Sequence, residues 1–245
     1  MFEKVEHINN FFKGLEFEEL SHRYSLNSKP FSVSVSGIIK NFVAPFDKYG
    51  KSLLIAQREG CTQREILDKW DDKNKRACEL GTRVHSFAEH YAFNRSIEPT
   101  NGFEKAVVKL YNTLPSHIVP VIAELRMYHK KYEFAGTCDK LFLNTETNNF
   151  ILPDYKTNEN LFKNFGGQRL LGCFSDLLDN NFNKYQIQLS LYQLLFEQTG
   201  LKVEERRIIH LLPDGDFIAY KTEDYTDRLQ YYLENDFNKI KYESN

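Results

Sequence analysis

Three strand-like segments separated by polar turns constrain the fold more than any other part of this sequence. The segments span residues 118–128, 134–143 and 150–156 and are rich in the aliphatic and aromatic residues that favour strands. The breaks at 130–133 and 144–149 are polar enough to be turns. Because short turns join antiparallel strands, the sequence predicts a three-strand antiparallel meander.

One acidic residue falls in each of these strands at equal intervals. Glu124, Asp139 and Asp154 are 15 residues apart, and the midpoint of each interval lies inside a turn. The meander therefore places the three side chains roughly opposite one another, with neighbouring Cβ atoms about 4.5–5.5 Å apart. Lys156 shares a face with Asp154, because side chains alternate along a strand. Acids clustered without a counter-ion repel one another, so the pattern predicts a divalent-cation site suited to phosphate chemistry.

Composition limits the class of protein. The chain has 245 residues, 41% of them hydrophobic, which suits one domain with a substantial core. A net charge of −2 disfavours a protein that coats DNA, but it allows an enzyme with a local basic groove. The four cysteines are widely scattered, so we expect neither a zinc site nor an iron–sulfur cluster.

Targeting signals are not evident. No apolar run approaches the length of about 18 residues that a membrane span requires. The first residues have neither the apolar core of a signal peptide nor the arginine-rich character of a transit peptide. The sequence therefore predicts an intracellular, cytoplasmic protein without a membrane partner.

The rest of the chain predicts mainly helices around a central sheet, which is an α/β fold. Expected helices are a short one within 1–20 and others at 36–41, 47–57, from Thr62 through the following stripe of apolar positions, 102–114, 183–198 and from 224. Further strands are expected at 22–26 and 31–35, paired as a small hairpin around residues 27–30, and at 205–212 and 217–221. We interpret 1–245 as a single domain, with a mainly helical portion at 1–75, an α/β core at 76–221 and a C-terminal helix at 222–245.

A histidine lies beside the apolar stripe of the long helix. His85 follows Gly81 by one turn, and Glu89 follows His85 by one turn. One interpretation makes His85 a metal ligand, with Gly81 allowing the helix to approach the sheet closely. The alternative is a half-buried histidine paired with Glu89.

Two other motifs have similar alternatives. Asp154 and Lys156 form an ion pair either at a functional site or simply facing solvent. On the helix at 183–198, Gln188 lies roughly opposite a polar stripe that we expect to face solvent, formed by Gln186, Ser190, Gln193 and Glu197. A packed glutamine needs a hydrogen-bond partner. That partner is either the backbone or a group of the site.

The motifs occur in an order that resembles the RecB-like branch of the PD-(D/E)XK nuclease superfamily. The match covers about residues 78–195 and rests on Gly81 and His85, Glu124, Gly136 and Asp139, Asp154-Tyr155-Lys156, and Gln188 and Tyr192. Residues 22–39 and Trp70 resemble the N-terminal part of phage-type and mitochondrial genome maintenance-type exonucleases. The resemblance implies a restriction-endonuclease-like core: a central mixed sheet containing the meander, flanked by helices.

The resemblance also implies roles for individual residues. It implies that Mg²⁺ or Mn²⁺, as one or two ions, is held by His85, Asp139, Asp154 and the main-chain carbonyl of Tyr155. The other implied catalytic residues are Lys156, which assists the attacking water, Glu124, which supports the metal or its water, and Gln188 and Tyr192 on the motif helix. Candidate contacts to substrate phosphates are Thr157, Lys163 and Arg169, the last two being alternatively ordinary solvated charges. The iron–sulfur members of the branch need cysteines near the C-terminus, and this sequence lacks them.

The function that follows is metal-dependent hydrolysis of DNA from its ends, with single- or double-stranded DNA as the partner. A structure-specific or nicking endonuclease is the first alternative, and a non-catalytic DNA-binding subunit is the second. A role in recombination or repair, or in a phage and hence in host cytoplasm, is compatible with this prediction. Cleavage polarity, strand preference, RNA tolerance and oligomeric state are left open.

Overall fold

The architecture is α/β, as the sequence predicts. A computed structural model describes residues 1–19, 21–31 and 33–237. Across these residues it contains a mixed six-strand sheet, a three-strand antiparallel sheet and seven α-helices. The part of the predicted C-terminal helix beyond residue 237 lies outside the described residues.

The secondary structure follows the chain in this order. The helices are α1 (Phe2–Phe11), α2 (Val35–Lys40), α3 (Lys48–Glu59), α4 (Gln63–Phe93), α5 (Gly102–Thr113), α6 (Asn181–Glu197) and α7 (Thr226–Asn235). The strands are β1 (Leu15–Glu18), β2 (Arg23–Leu26), β3 (Lys29–Pro30), β4 (Val33–Ser34), β5 (Ile118–His129), β6 (Phe134–Asn144), β7 (Phe150–Lys156), β8 (Val203–Leu211) and β9 (Phe217–Lys221).

The predicted meander forms the middle of the larger sheet. Its strand order is β4-β6-β7-β8-β9, and β5 pairs with β6. Both the β5–β6 and the β6–β7 pairs are antiparallel, which confirms the prediction. Backbone pairing between β6 and β7 is confined to Phe142 with Ile151 and Leu143 with Phe150. Nearer the end of β7, the Tyr155 N–H donates to the side chain of Asp139 on β6 instead of to a backbone carbonyl of that strand.

Helices cover both faces of this sheet. One hydrophobic cluster joins α1, α2, α6 and α7 to one face, through residues such as Ile8, Ile38, Leu189 and Leu229. A second cluster packs the C-terminal half of α4 together with α5 against the other face. The two clusters leave the carboxyl end of β7 between α4 and α6.

The long helix α4 begins with the predicted capping box. The Thr62 backbone N–H donates to the Glu65 side chain at 2.7 Å, and the Thr62 hydroxyl accepts from the Glu65 N–H at 3.3 Å. Its outer end packs on α3 around the buried Ile66, and its inner end packs on the sheet around Val84. Between them, residues 71–79 are all exposed. The helix is therefore held at both ends and solvated in the middle.

The first 31 residues match the prediction in part, because α1 is the short helix expected within 1–20 and β2 is the strand expected at 22–26. Residues 15–30 form the three-strand sheet β1–β3, so the portion at 1–75 is less helical than expected. Asn27 and Ser28 join β2 to β3 with φ of 50° and 66°, which is typical of a two-residue type I′ hairpin. That tight turn ends the hairpin at Pro30. The expected strand at 31–35 becomes the short β4, which pairs in parallel with β6.

The polar stripe of α6 was wrongly expected to face solvent. Gln186, Ser190 and Gln193 are 4%, 0% and 6% exposed. The segment before α7 covers them: the Glu223 N–H donates to Gln186 Oε1 at 2.9 Å, and the Tyr225 N–H donates to Ser190 Oγ at 3.1 Å. Polar side chains are stable there because each finds a partner.

Among the described helices, none is both long and apolar enough to cross a bilayer.

Candidate active site

The end of β7 holds a buried ion pair. Asp154 is 1% exposed, and its Oδ2 lies 2.7 Å from Lys156 Nζ. At this distance the ammonium and the carboxylate are in direct contact as an ion pair. Burial lowers the pKa of Lys156, but the charges of Asp154 and Asp139 outweigh it and raise that pKa. The solvent-facing salt bridge considered from the sequence is therefore wrong: this pair lies inside the protein.

An imidazole from α4 bridges β6 and β7. His85 Nδ1 lies 3.2 Å from Asp139 Oδ2, and His85 Nε2 lies 3.0 Å from the carbonyl oxygen of Tyr155. Asp139 Oδ2 also accepts the Tyr155 N–H at 3.2 Å. Since both ring nitrogens face acceptors, the arrangement favours a doubly protonated, positively charged ring. Burial alone would lower the pKa of His85, but the Asp139 carboxylate raises it by a larger amount, so the pKa of His85 lies above its ordinary value.

The buried Asp154 and the partly buried Asp139 have pKa values that are shifted in opposite directions. Burial raises the pKa of Asp139, but His85, Lys156 and the Tyr155 N–H lower it below its usual value. For Asp154, burial and repulsion from Asp139 outweigh the attraction of Lys156 and raise the pKa. Neighbouring carboxylates with split pKa values are typical of sites that bind a cation or transfer a proton.

These residues fit a hard divalent cation by their chemistry. Two carboxylates, a main-chain carbonyl and one imidazole are donors that suit Mg²⁺ or Mn²⁺. Asp154 Oδ2 already faces the Lys156 ammonium at 2.7 Å, so a bound cation would share this oxygen with the lysine. In the described part of the chain, no group of three or more His, Cys, Asp or Glu side chains is arranged so that it could hold a metal ion. The positive charges of His85 and Lys156 balance the carboxylates instead.

Glu124 lies beside this group, at an irregular point of β5. Its neighbours Ala123 and Leu125 pair with Lys140 and Cys138, so the register sets Glu124 opposite Asp139, as the spacing predicts. However, Glu124 has a left-handed φ of 51° and is largely exposed. Desolvation and repulsion from nearby carboxylates raise its pKa to about 7.

A buried lysine that the sequence did not indicate lies under α4. Lys140 is 1% exposed, and its Nζ has no hydrogen-bond partner. Burial lowers its pKa to about 8, against the attraction of Glu89 and Glu124. The repulsion between Glu124 and Glu89 also raises the pKa of Glu124, so the two carboxylates and the ammonium share one environment.

The glutamine and tyrosine of the motif helix contact each other. Gln188 Nε2 donates to the Tyr192 hydroxyl at 2.9 Å. Tyr192 is 6% exposed and packs over Gly136, at the start of the segment that leads to Asp139. The partner of the packed amide is thus a side chain of the same helix. The pair fixes α6 over β6.

Gly136 is tightly packed and Gly81 is not, so adding a methyl group at the two positions is expected to have opposite effects on stability. A Cβ on Gly136 would lie 2.7 Å from Val35 Cγ2 and 2.9 Å from Tyr192 Cε1, whereas a Cβ on Gly81 would meet nothing within 4 Å. The expectation that Gly81 allows close helix packing is therefore wrong. We expect Gly136→Ala to lower the free energy of unfolding by about 1–3 kcal/mol, and Gly81→Ala to raise it by about 0.5–1 kcal/mol. Urea denaturation of both variants checks this, and a stabilised Gly136→Ala would contradict the packing described.

The candidate phosphate contacts lie outside the buried group. Thr157 directly follows Lys156 at the end of β7. Lys163 and Arg169 are exposed: the Lys163 ammonium lies 5.2 Å from the Phe165 ring centre, and Arg169 Nη1 donates to the Asp176 carbonyl at 2.6 Å. Both belong to the 157–181 segment, whose turns include a short 3₁₀ helix at Gly172–Phe174.

Sequence reasoning missed three residues that surround Lys156. They are Tyr185, three residues before Gln188 on α6; Asn158, two residues after Lys156; and His210, which pairs with Lys156 in the β7–β8 register. His210 lies in a strand that the sequence predicts, and Asn158 is close to Lys156 along the chain. The proximity of Tyr185 to both depends on how α6 packs.

No protein-family model and no curated protein matches this sequence. The resemblance drawn from the motifs therefore stays a prediction.

Proposed function

We propose that this protein is a divalent-cation-dependent deoxyribonuclease that hydrolyses phosphodiester bonds from DNA ends. The observation that supports the proposal is the meeting of Asp139, Asp154, His85 and the Tyr155 carbonyl at one end of β7, beside the Lys156 ammonium. Clusters of carboxylates, an imidazole and an ammonium whose pKa values are shifted by burial and by one another are frequent at functional sites.

Each residue then has a role. Asp139, Asp154, the Tyr155 carbonyl and His85 would hold Mg²⁺ or Mn²⁺. When bound, such a cation lowers the pKa of a coordinated water and neutralises charge on the phosphate. Lys156 stabilises the negative charge that develops on the attacked phosphate. Glu124, with its raised pKa, is placed to exchange a proton near neutral pH.

Cleavage assays test the activity directly. We expect the purified protein to degrade end-labelled linear DNA with Mg²⁺ or Mn²⁺, and to leave it intact in EDTA. Calcium is a suitable control cation, because its larger, less rigid coordination changes the geometry while it keeps the charge. Cleavage that continues unchanged in EDTA would contradict the proposal.

The mode of attack is tested with closed circles. An enzyme that requires an end is expected to leave covalently closed single- and double-stranded circles intact while it degrades the same DNA after linearisation. Nicking or linearisation of the circles would instead indicate the endonuclease alternative. Binding of DNA with no cleavage under any cation would favour the non-catalytic subunit.

A further inference from the structure

The Lys156 ammonium contacts two different groups. Its Nζ lies 2.7 Å from Asp154 Oδ2 and 4.3 Å from the centre of the Tyr185 ring. Only 14% of the lysine side chain is exposed. A cation over an aromatic face is attracted by the electrons of the ring, and the attraction grows when water is excluded. The ammonium is therefore restrained by a carboxylate and by an aromatic ring.

The ring that restrains Lys156 is itself tethered. The Tyr185 hydroxyl donates to Asn158 Oδ1 at 2.9 Å. The Asn158 carbonyl accepts from His210 Nε2 at 2.6 Å, and His210 is 7% exposed on β8. His210 is also paired with Lys156 across the β7–β8 ladder. His210, Asn158 and Tyr185 therefore form a chain of hydrogen bonds that begins on β8, beside Lys156, and ends at the ring that contacts the Lys156 ammonium.

We infer that Tyr185 is a positioning residue for Lys156, and that Asn158 and His210 fix the plane of its ring. The inference rests on the proposed function, since it concerns the lysine of that site. Asp154 is also a proposed cation ligand, and a bound cation would share its negative charge. The contact with Tyr185 is not shared in this way, so the ring holds the ammonium when Asp154 is engaged. A displacement of about 1 Å at such a group can cost about a hundredfold in rate.

Three variants separate the ring from its tether. Tyr185→Leu removes the aromatic face and is expected to lower kcat by about 10- to 100-fold, with KM changed less than about twofold, because the ring acts through Lys156 rather than on bound DNA. Tyr185→Phe keeps the face and loses only the hydroxyl, so we expect a loss below about fivefold. Asn158→Ala is expected to behave like Tyr185→Phe. Tyr225→Leu is the matched control, since the centre of the Tyr225 ring lies 5.4 Å from the Arg228 guanidinium carbon, a comparable contact that does not involve Lys156.

A spectroscopic measurement tests the contact without using activity. Methylene hydrogens of a lysine held over an aromatic face resonate upfield, and the Lys156 signal is assigned by its disappearance in Lys156→Arg. The upfield shift is expected in the wild-type protein and in Tyr185→Phe, and it is expected to vanish in Tyr185→Leu. A Tyr185→Leu protein with wild-type kcat, or with an unchanged Lys156 signal, overturns this inference alone. Wild-type protein that cleaves no DNA while it shows the shifted signal overturns the proposed function, and the catalytic part of the inference with it.

Discussion

Replacing Asp154 with asparagine is expected to reduce cation-dependent DNA cleavage by about a thousandfold or more, because it removes a ligand charge from the centre of the site. The fold is expected to survive, since asparagine has the same shape. In cation-free buffer at pH 8, we expect its melting temperature to be no lower than that of the wild type. Burial and Asp139 disfavour the charged form of Asp154 by more than Lys156 favours it, so a neutral amide removes a net cost. Single-turnover cleavage and calorimetry measure the two quantities.

Lys156→Ala tests the other half of the buried pair. We expect a similar loss of cleavage but a lower melting temperature, because it leaves the Asp154 charge without its partner. Asp224→Asn is the matched control: Asp224 pairs with Arg206 at 3.1 Å, beside α7 and away from the site. Substantial cleavage by a folded Asp154→Asn or Lys156→Ala protein would rule out this assignment of the site.

Mn²⁺ is expected to raise the melting temperature by about 5–10 °C at pH 8 when its concentration is about 100 times its dissociation constant. At pH 5.5 we expect a rise less than half as large. Differential scanning calorimetry at both pH values, with Asp139→Asn as the variant that lacks a ligand, measures the difference. Equal shifts at both pH values, or a full shift in Asp139→Asn, would contradict cation binding at these carboxylates.

The sign of this pH dependence follows from the individual groups. The folded-state pKa of Asp154 and that of His85 are raised, so their contribution to stability is greatest at low pH and is lost as pH rises through those values. The folded-state pKa of Asp139 is lowered, so its contribution is lost only in acid, below the range tested. Between pH 5.5 and 8 the cation-free protein therefore loses protons that balance the site. A cation replaces them, and it competes with fewer protons at pH 8.

Local sequence signals predicted the regular elements well. The capping box at Thr62, and the polar turns between the strands of the meander, are formed by residues adjacent in sequence. The same locality explains the error on α6. Ser190 was expected to face solvent because its neighbours on the helix are polar, but the backbone that covers it comes from Tyr225, 35 residues later. The pattern of polar residues along a helix does not reveal which distant segment of the chain covers that face.

The sequence predicted which strands meet at the candidate site, but not every side chain that lines it. Equal spacing across two turns brought Asp139 and the end of β7 together, because register in a meander is set by short turns. The left-handed backbone of Glu124, the burial of Lys140 and the ring beneath Lys156 were not predictable. Each depends on packing between layers of the fold, and that packing has no period in the sequence.

The long helix α4 connects the site mechanically to the outer part of the molecule. It runs without a break from its capping box to the imidazole that bridges Asp139 and Tyr155. At 1.5 Å per residue, Gln63 and His85 are about 33 Å apart along its axis. A tilt of 5° about the packed inner end displaces the outer end by about 3 Å. Because α4 is continuous, a small change in its angle at the sheet corresponds to a displacement of several ångströms where the helix packs on α3.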